Sequence, residues 1–456
     1  MPSEVTIVGG GLAGSECAWQ LARRGVPVAL HEMRPERPTP AHHTAGFAEL
    51  VCSNSLRSDD PEHPAGQLKR EMESFGSLIL AAARAAAVPA GGALAVDRDR
   101  FSGLVTRALE EHPLVAVRRT EVTSLPDGPA VLATGPLTSD ALAAEIRTLL
   151  GDEYLYFYDS IAPIVDAESL DMEALYWASR YGKGGGRDYL NSPLSREQYE
   201  RFLGALLEAE TLPLHGFEKA LFFEGCLPVE EMARRGADTL RFGPMKPVGL
   251  ETPDGRRPWA VVQLRQENLD RTQLNLVGFQ SRLKWSDQER VFRLIPGLEQ
   301  AEFVRLGQVH RNTFVNAPTH LDRRYRIRCR PELRLAGQIT GVEGYLESAA
   351  TGLAIGLYVA AEQRGEELAD LPYTTALGAL ARHLTESDAA HFQPANVNFG
   401  MFAPLPGRLR RGERRAAILA RARDELPRWA ESHGVPLEAT AGGELPAATA
   451  PRPVSV

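Results

Sequence analysis

Two groups of residues in this chain have types and spacings that chemistry can use: four scattered cysteines and a glycine cluster near the N-terminus. Cys17, Cys52, Cys226 and Cys329 stand far apart, with no Cys-x-x-Cys pair. That spacing excludes the usual zinc motifs and gives no disulfide framework, so no metal is expected and a reducing cytosol fits best. A cysteine becomes a nucleophile when its pKa falls below the ordinary ~8.5, and a helix N-terminus lowers it with its dipole and free amides. Cys226 stands just ahead of Pro228, which reads as the first residue of a short helix through Met232 and Ala233. Cys226 is thus an activated nucleophile or a buried structural cysteine, and the residues alone leave both open. Cys52 follows an apolar run and precedes the polar turn Ser53-Asn54-Ser55; it is a second working thiol or a packed small hydrophobe. Cys17 falls inside the first helix and should be core, while Cys329 sits among arginines.

The glycine cluster is Gly9-x-Gly11-x-x-Gly14. It follows a strand-like run, Val5 to Val8, and opens a helix over Ser15 to Arg24 that Gly25 ends; a second strand, Pro27 to His31, closes on Glu32. In that setting Gly9 permits the tight turn, Gly11 lets backbone amides approach a pyrophosphate, and Gly14 lets helix pack on strand. The helix N-terminus offers amide donors to the phosphates, and Glu32 can bind both hydroxyls of an adenosine ribose. The position at the extreme N-terminus favours FAD over NAD. So do a later strand ending Ala133-Thr134-Gly135 and a C-terminal strand that reaches Gly337. No second complete fingerprint follows, so a nicotinamide cofactor must bind without its own Rossmann unit.

The elements that must position these groups divide the 456 residues into more than one core. Hydrophobic content of 43% with 24% charge is ordinary for a globular chain, which argues against disorder. No run of about 18 apolar residues occurs, so no membrane span is expected. The chain opens directly on a strand-like run, without a secretory signal's basic region or cleavage site. The residues predict a helix over Gly66 to Val88, another over Arg98 to Glu111, and strands near Val115 to Val122 and Ala130 to Ala133. From about Tyr154 to Pro296 the pattern turns to aromatic-rich strands and short helices, and strand-helix character returns at Leu333 to Gly337 and Leu346 to Arg364. The expected fold is α/β: a glutathione-reductase-like, Rossmann-type FAD-binding domain (1–150 and 301–435) interrupted by a smaller α+β insertion (151–300). The remaining stretch, 436–456, is rich in Ala, Pro, Thr and Gly and reads as a disordered tail.

Longer motifs run nearly end to end. They include Glu32-Met33-Arg34-Pro35, Phe47 to Leu56, Leu94 to Arg98, Ala133 to Ser139 and Tyr156 to Asp159. Further on stand Phe223 to Glu230, Arg241 to Leu250, His310 to Thr313 and Ala336 to Tyr345. Over roughly residues 4 to 403 the chain resembles the folate- and FAD-dependent tRNA uracil-5-methyltransferases, the TrmFO family. One departure is Ser192 within Asn191-Ser192-Pro193, where that family often carries a cysteine. The related flavoprotein of wobble-uridine modification has a longer C-terminal helical domain, for which too little chain follows Gly400. A flavin-carrying RNA-binding protein without catalysis is the alternative from another class.

The resemblance implies methylation of uracil carbon 5 in the T loop of tRNA, with methylenetetrahydrofolate as one-carbon donor, NAD(P)H as reductant and FAD as cofactor. Carbon 5 is a poor nucleophile until a thiolate adds to carbon 6. The family match makes Cys226 that nucleophile and Cys52 a second thiol near the flavin, one that helps remove the carbon-5 proton or protects the nucleophile. The implied cofactor-binding set is Gly9, Gly10, Gly11, Leu12, Ala13, Gly14, Glu32, Arg34, Gly135, Gly337 and Gln338. His310 and Tyr345, flat side chains in matched motifs, are candidates to stack on the pterin of folate. The implied partner is tRNA, with no membrane or protein partner, in the cytoplasm.

The formal net charge of −8 argues against bulk adhesion to nucleic acid, so RNA must meet a local basic surface. Arg305, Arg311, Arg323, Arg324, Arg326, Arg328, Arg330 and Arg334 crowd one stretch, and Arg408, Arg410, Arg411, Arg414 and Arg415 another. From charge alone a solvated face is the simpler reading.

Overall fold

The computed structural model describes residues 2–151, 154–160, 162–212, 227–307, 309–407 and 409–438. Cys226 lies outside the described residues, as does 439–456 of the expected tail. The first three residues of that tail are docked: Glu438 donates its amide to the Ser74 carbonyl at 2.8 Å and pairs with Arg23.

Val5–Val8 is β-branched throughout and almost wholly buried, and it sits inside a six-stranded sheet. The order across that sheet is Arg326–Ile327, Arg330–Leu335, Ala130–Leu132, Val5–Val8, Val28–His31 and Val115–Arg118. Every neighbouring pair is parallel except the Arg326–Ile327 edge. Strands flank Val5–Val8 on both sides, and a crevice opens at the carboxyl ends where the order reverses.

Helix Leu12–Ala22 is buried along its whole length, which an amphipathic surface helix would not be. The cause is a second helix, Tyr345–Gln363, buried from Leu346 to Ala361 and laid against it. The approach is close enough that a Cβ at Gly352 would overlap the Ala13 carbonyl, and one at Gly356 the Gln20 side chain. Cys17 falls in this contact, as expected, and burial pushes its thiol up to about 12 against the opposing pull of Arg334, so it is inert.

Buried carboxylates tie these layers together at helix N-termini. Glu16 accepts from Ser77 Oγ at 2.7 Å and from the Ile79 amide at 3.0 Å, capping helix Leu78–Ala85 from outside. Glu71 accepts the Ala376 and Leu377 amides at 2.8 and 2.9 Å, capping helix Ala376–Glu386. In both cases orphan amides meet carboxyl oxygens at the positive end of the helix dipole, while burial pushes both groups up, Glu71 to about 7.

A second hydrophobic core lies between residues 165 and 303, around Phe202, Phe279 and Phe292. It backs an antiparallel sheet in the order Tyr176–Ala178, Tyr189–Leu194, Ala260–Gln266, Gln273–Leu276, Ile164–Asp166, Phe303–Arg305. Where the chain leaves and re-enters the first core, Tyr154–Ser160 and Val309–Val315 pair as an antiparallel ribbon.

Three local expectations need correction. The helix expected over Gly66 to Val88 is two, Pro64–Ser74 and Leu78–Ala85, because Gly76 turns left-handed (φ 67°) and Ser77 caps a new start by accepting the Leu80 amide. The strand near Val115 to Val122 stops at Arg118. Pro228 precedes its helix as the cap, with φ −55° and ψ 141°, and the helix runs Val229–Arg234.

Candidate functional site

A cleft of about 1040 Å³, counting the solvent at its mouth, opens at the carboxyl ends of the parallel strands. Of the expected cofactor-binding residues, Gly9, Gly11, Leu12, Ala13, Glu32, Arg34, Gly135, Gly337 and Gln338 line it. Gly10 and Gly14 do not, and their geometry gives them other work. The Gly10 amide donates to Glu32 Oε2 at 3.0 Å and its Cα lies against the Phe47 ring. A Cβ on Gly14 would overlap the Gly9 carbonyl, so this glycine serves helix-on-strand packing. Gly9 needs its own identity for its φ of 104° as well as for space against Ala133.

Gly11 differs from both. A Cβ there would meet nothing within 4 Å, so the backbone lies open to the cleft. The first i→i−4 bond of the helix runs from the Ser15 amide to the Gly11 carbonyl at 2.9 Å, so no helical carbonyl reaches the amides of Leu12, Ala13 and Gly14. No side chain caps this end. Bare amides at a dipole's positive end, facing open space, are what a pyrophosphate requires, and the residues present fit a dinucleotide.

At Glu32 the four acceptor directions are taken by protein donors. Oε1 accepts the Arg34 amide and Nε, both at 3.0 Å, and Oε2 accepts Gly10 N and Arg34 Nη2 at 3.0 and 3.2 Å. Burial pushes the Glu32 carboxyl up, but Arg34 outweighs it and the net shift is down, so the group is charged. A ribose bound at Glu32 must therefore displace part of the Arg34 contact. Arg34 has a second anchor, since Nη1 donates to Glu49 Oε2 at 2.9 Å and to the Thr44 carbonyl at 3.1 Å.

The sequence reading missed several cleft-lining residues: Thr39, His42, Glu49, Thr120 to Val122, Thr138, Ser139 and Ser348. Glu49, Thr138 and Ser139 lie inside matched motifs, the one signal that could have marked them. Burial, reinforced by Arg34, pulls His42 down to about 4, which keeps its ring neutral in the cleft.

Tyr345 lines the far side of the cleft at the start of helix Tyr345–Gln363, and its hydroxyl accepts the Cys52 amide at 2.6 Å. Cys52 is half-buried and, though not in the cleft wall itself, follows Val51, which is. The carbonyl of Cys52 accepts Nη2 of both Arg98 and Arg305, at 3.0 and 3.1 Å. Arg265 Nη2 donates to Ser53 Oγ at 2.9 Å, and Asn54 Nδ2 donates to the carbonyls of Val96 and Gln266 at 2.9 and 3.0 Å. The Cys52 loop is thus the seam where the two cores meet. His310 lies on the strand Val309–Val315, opposite Asp159, and its side chain lies outside what the structure describes. Ser192, at the family's cysteine position, is fully buried and donates to the Pro296 carbonyl at 2.7 Å, a structural role.

Six of the eight arginines in the first run hold protein partners, while Arg328 is exposed and the Arg311 side chain lies outside what the structure describes. Arg305 holds the Cys52 loop, and Arg334 is 3% exposed with both Glu362 oxygens within 2.7 Å. Arg323 pairs with Glu386, Arg324 with Asp370, Arg326 with Asp322 and Arg330 with Glu332. In the second run Arg410, Arg414 and Arg415 are exposed, the last with its guanidinium 5.1 Å from the Phe399 ring centre; Arg408 lies outside the described residues. Cys329 is exposed. Among the described residues no group of three or more His, Cys, Asp or Glu is placed to hold a metal ion, and no helix is long and apolar enough to cross a membrane.

The family described as glucose inhibited division protein A matches residues 4–367. The chain is 59% identical over 431 residues to the methylenetetrahydrofolate–tRNA-(uracil-5-)-methyltransferase TrmFO of Geobacter sulfurreducens, covering 94% of this chain and 99% of that one. It is 57% identical over 403 residues to the protein of the same name from Anoxybacillus flavithermus, covering 88% and 93%. Among solved structures it is similar to Aquifex aeolicus GidA, with a TM-score of 0.68 at 17% identity over 95% of this chain and 78% of that one. At that identity the likeness shows the α/β fold alone.

Proposed function

This chain belongs to the TrmFO family of methylenetetrahydrofolate–tRNA-(uracil-5-)-methyltransferases, and from that premise we infer how its cleft and thiols serve one reaction. The protein is an FAD-dependent enzyme that methylates carbon 5 of a uracil in the T loop of tRNA. Methylenetetrahydrofolate is the one-carbon donor and NAD(P)H the reductant. We propose that it works in the cytoplasm, a reading its tRNA substrate supports. The domain division into 1–150 with 301–435 around an insertion, 151–300, is supported by the two separate cores.

The observation that carries the site assignment is that Cys52 is bonded through its amide to Tyr345, a wall of the dinucleotide cleft. FAD, when bound here and reduced by NAD(P)H, would supply the reducing equivalents that complete the methyl group. The amides of Leu12 and Ala13 would hold its pyrophosphate, and Glu32 with Arg34 would meet the adenosine ribose. Cys226 adds as thiolate to carbon 6 of the uracil, and the displaced electron pair makes carbon 5 nucleophilic toward the one-carbon electrophile. Cys52 then takes the carbon-5 proton as the tetrahydrofolate nitrogen leaves, and a hydride equivalent drawn from NAD(P)H completes the methyl while the Cys226 sulfur departs and restores the ring. Tyr345 and His310 stack on the pterin.

The test is purified flavin-loaded protein with tRNA transcript, labelled methylenetetrahydrofolate and NADPH. Label recovered on uracil carbon 5 of the T loop is expected. Retention of tRNA without label would mean a flavin-carrying RNA binder instead.

A further inference from the structure

The Cys52 loop is held in a way its own sequence does not dictate. It lies between two non-glycine residues in left-handed conformation, Ala48 (φ 50°) and Arg57 (φ 67°), which persist only where surrounding contacts over-determine them. Arg57 is held by an ion pair to the buried Glu347, in the first turn of the helix that Tyr345 opens. Within the loop both backbone polar atoms of Cys52 are engaged by side chains: Tyr345 takes the amide, and two guanidiniums share the carbonyl.

Those guanidiniums come from different cores. Arg98 is the first residue of helix Arg98–Glu110, whose other bonds go to the Leu50 carbonyl and to Glu267. Arg305 ends the edge strand of the antiparallel sheet and also donates to the Val51 carbonyl at 3.1 Å. Burial works against the charge on both. For Arg98 the neighbouring Glu267 more than offsets it, whereas Arg305 is pulled down further by Arg98 itself. Arg265 adds a third cation beside Ser53, and Glu267 Oε1, Arg265 Nε and Arg305 Nε have no protein partner among the described residues. Such a cluster is a weak source of stability, because desolvation of the charges offsets their attraction. Its geometric effect is specific: it fixes one carbonyl, and with it the direction in which one thiol leaves the backbone.

We propose that Arg98 and Arg305 are positioning residues that act through the Cys52 carbonyl, with Arg305 transmitting the docking of the antiparallel unit to the thiol at the cleft. This rests on the reading that Cys52 works in methyl transfer. A guanidinium fork holds two adjacent carbonyls in one fixed plane, whereas the donors of an ammonium rotate freely, so lysine preserves the charge while loosening the geometry.

The experiment uses flavin-loaded protein carrying Arg305→Lys or Arg305→Gln, compared with wild type. Iodoacetamide labelling of Cys52, resolved by peptide mass spectrometry across about pH 6 to about pH 9, reads the thiol directly and requires no methylation activity. Both variants should retain flavin. The Cys52 labelling rate should change by about threefold or more, and kcat should fall about 10- to 100-fold with KM for tRNA within about twofold. Lysine should lie between wild type and glutamine in both readouts. Unchanged Cys52 labelling in the flavin-loaded lysine variant would overturn the proposal. So would a raised KM for tRNA at constant kcat, which would make Arg305 an RNA contact. If wild-type protein transfers no methyl group, the functional reading falls, while the labelling comparison still decides whether Arg305 sets the thiol.

Discussion

The dinucleotide cleft and the Cys52 seam lie side by side, joined at Tyr345, yet they are built on opposite plans. The cleft's phosphate end comes from one continuous stretch, Val5 to Glu32, in which Gly9, Gly10 and Gly14 each answer a steric demand. The seam draws on residues 46 and 253 positions away from Cys52 for a single carbonyl, and Asn54 reaches 212 positions to the Gln266 carbonyl. A site closed by local sterics breaks when one atom is added. A site assembled from distant side chains loosens when one bond is removed.

Gly14→Val should therefore have the largest effect on fold and cofactor. Its Cβ would meet the Gly9 carbonyl, a backbone atom that cannot step aside, so a loss of at least about 3 kcal/mol is expected with no flavin retained on purification. Flavin absorbance at wild-type stoichiometry would show that the turn is less constrained than the geometry states. Asn54→Ala, on the seam, should cost about 2–3 kcal/mol in denaturant unfolding, because it strips a donor from two carbonyls, one in each core. It should keep its flavin; a variant that lost flavin as Gly14→Val does would erase the distinction between the two regions.

His42 gives the cleft a pH dependence. Its folded pKa, about 4, lies below the ordinary histidine value, so its contribution is present above about pH 6.5 and is lost as pH falls toward 4. Between pH 7 and pH 5 that amounts to about 2 kcal/mol of stability, and His42→Gln should flatten the slope of Tm against pH over this window. An unchanged slope would place the titrating group elsewhere. The smallest effect is expected at Arg323→Gln, which removes exposed pairs to Glu386 and Asp370: about 0.5 kcal/mol or less, with KM for tRNA within about twofold. A large rise in that KM would restore the arginine run as an RNA surface.

The same contrast explains what could be read from the residues in advance. The strand–glycine–helix–strand unit, the inserted second core and the burial of Cys17 follow from periodicity and small-residue spacing, which are local signals. The break at Gly76-Ser77 was hidden because alanine and leucine continue on both sides of it. The arginine run read as a basic face because the acids that neutralise it, Glu362, Glu386 and Asp370, lie 28 to 63 positions further along the chain. Nothing in the neighbourhood of Cys52 announces Arg98, Glu267 or Arg305.

Methyl transfer here requires a sulfur nucleophile acting beside a flavin on RNA, and Cys226→Ala in flavin-loaded protein tests that requirement most directly. With tRNA, labelled methylenetetrahydrofolate and NADPH, label transfer to uracil should fall by at least about 1000-fold while flavin content stays at the wild-type level. Transfer within about twofold of wild type would contradict the assignment of Cys226 as the attacking thiolate.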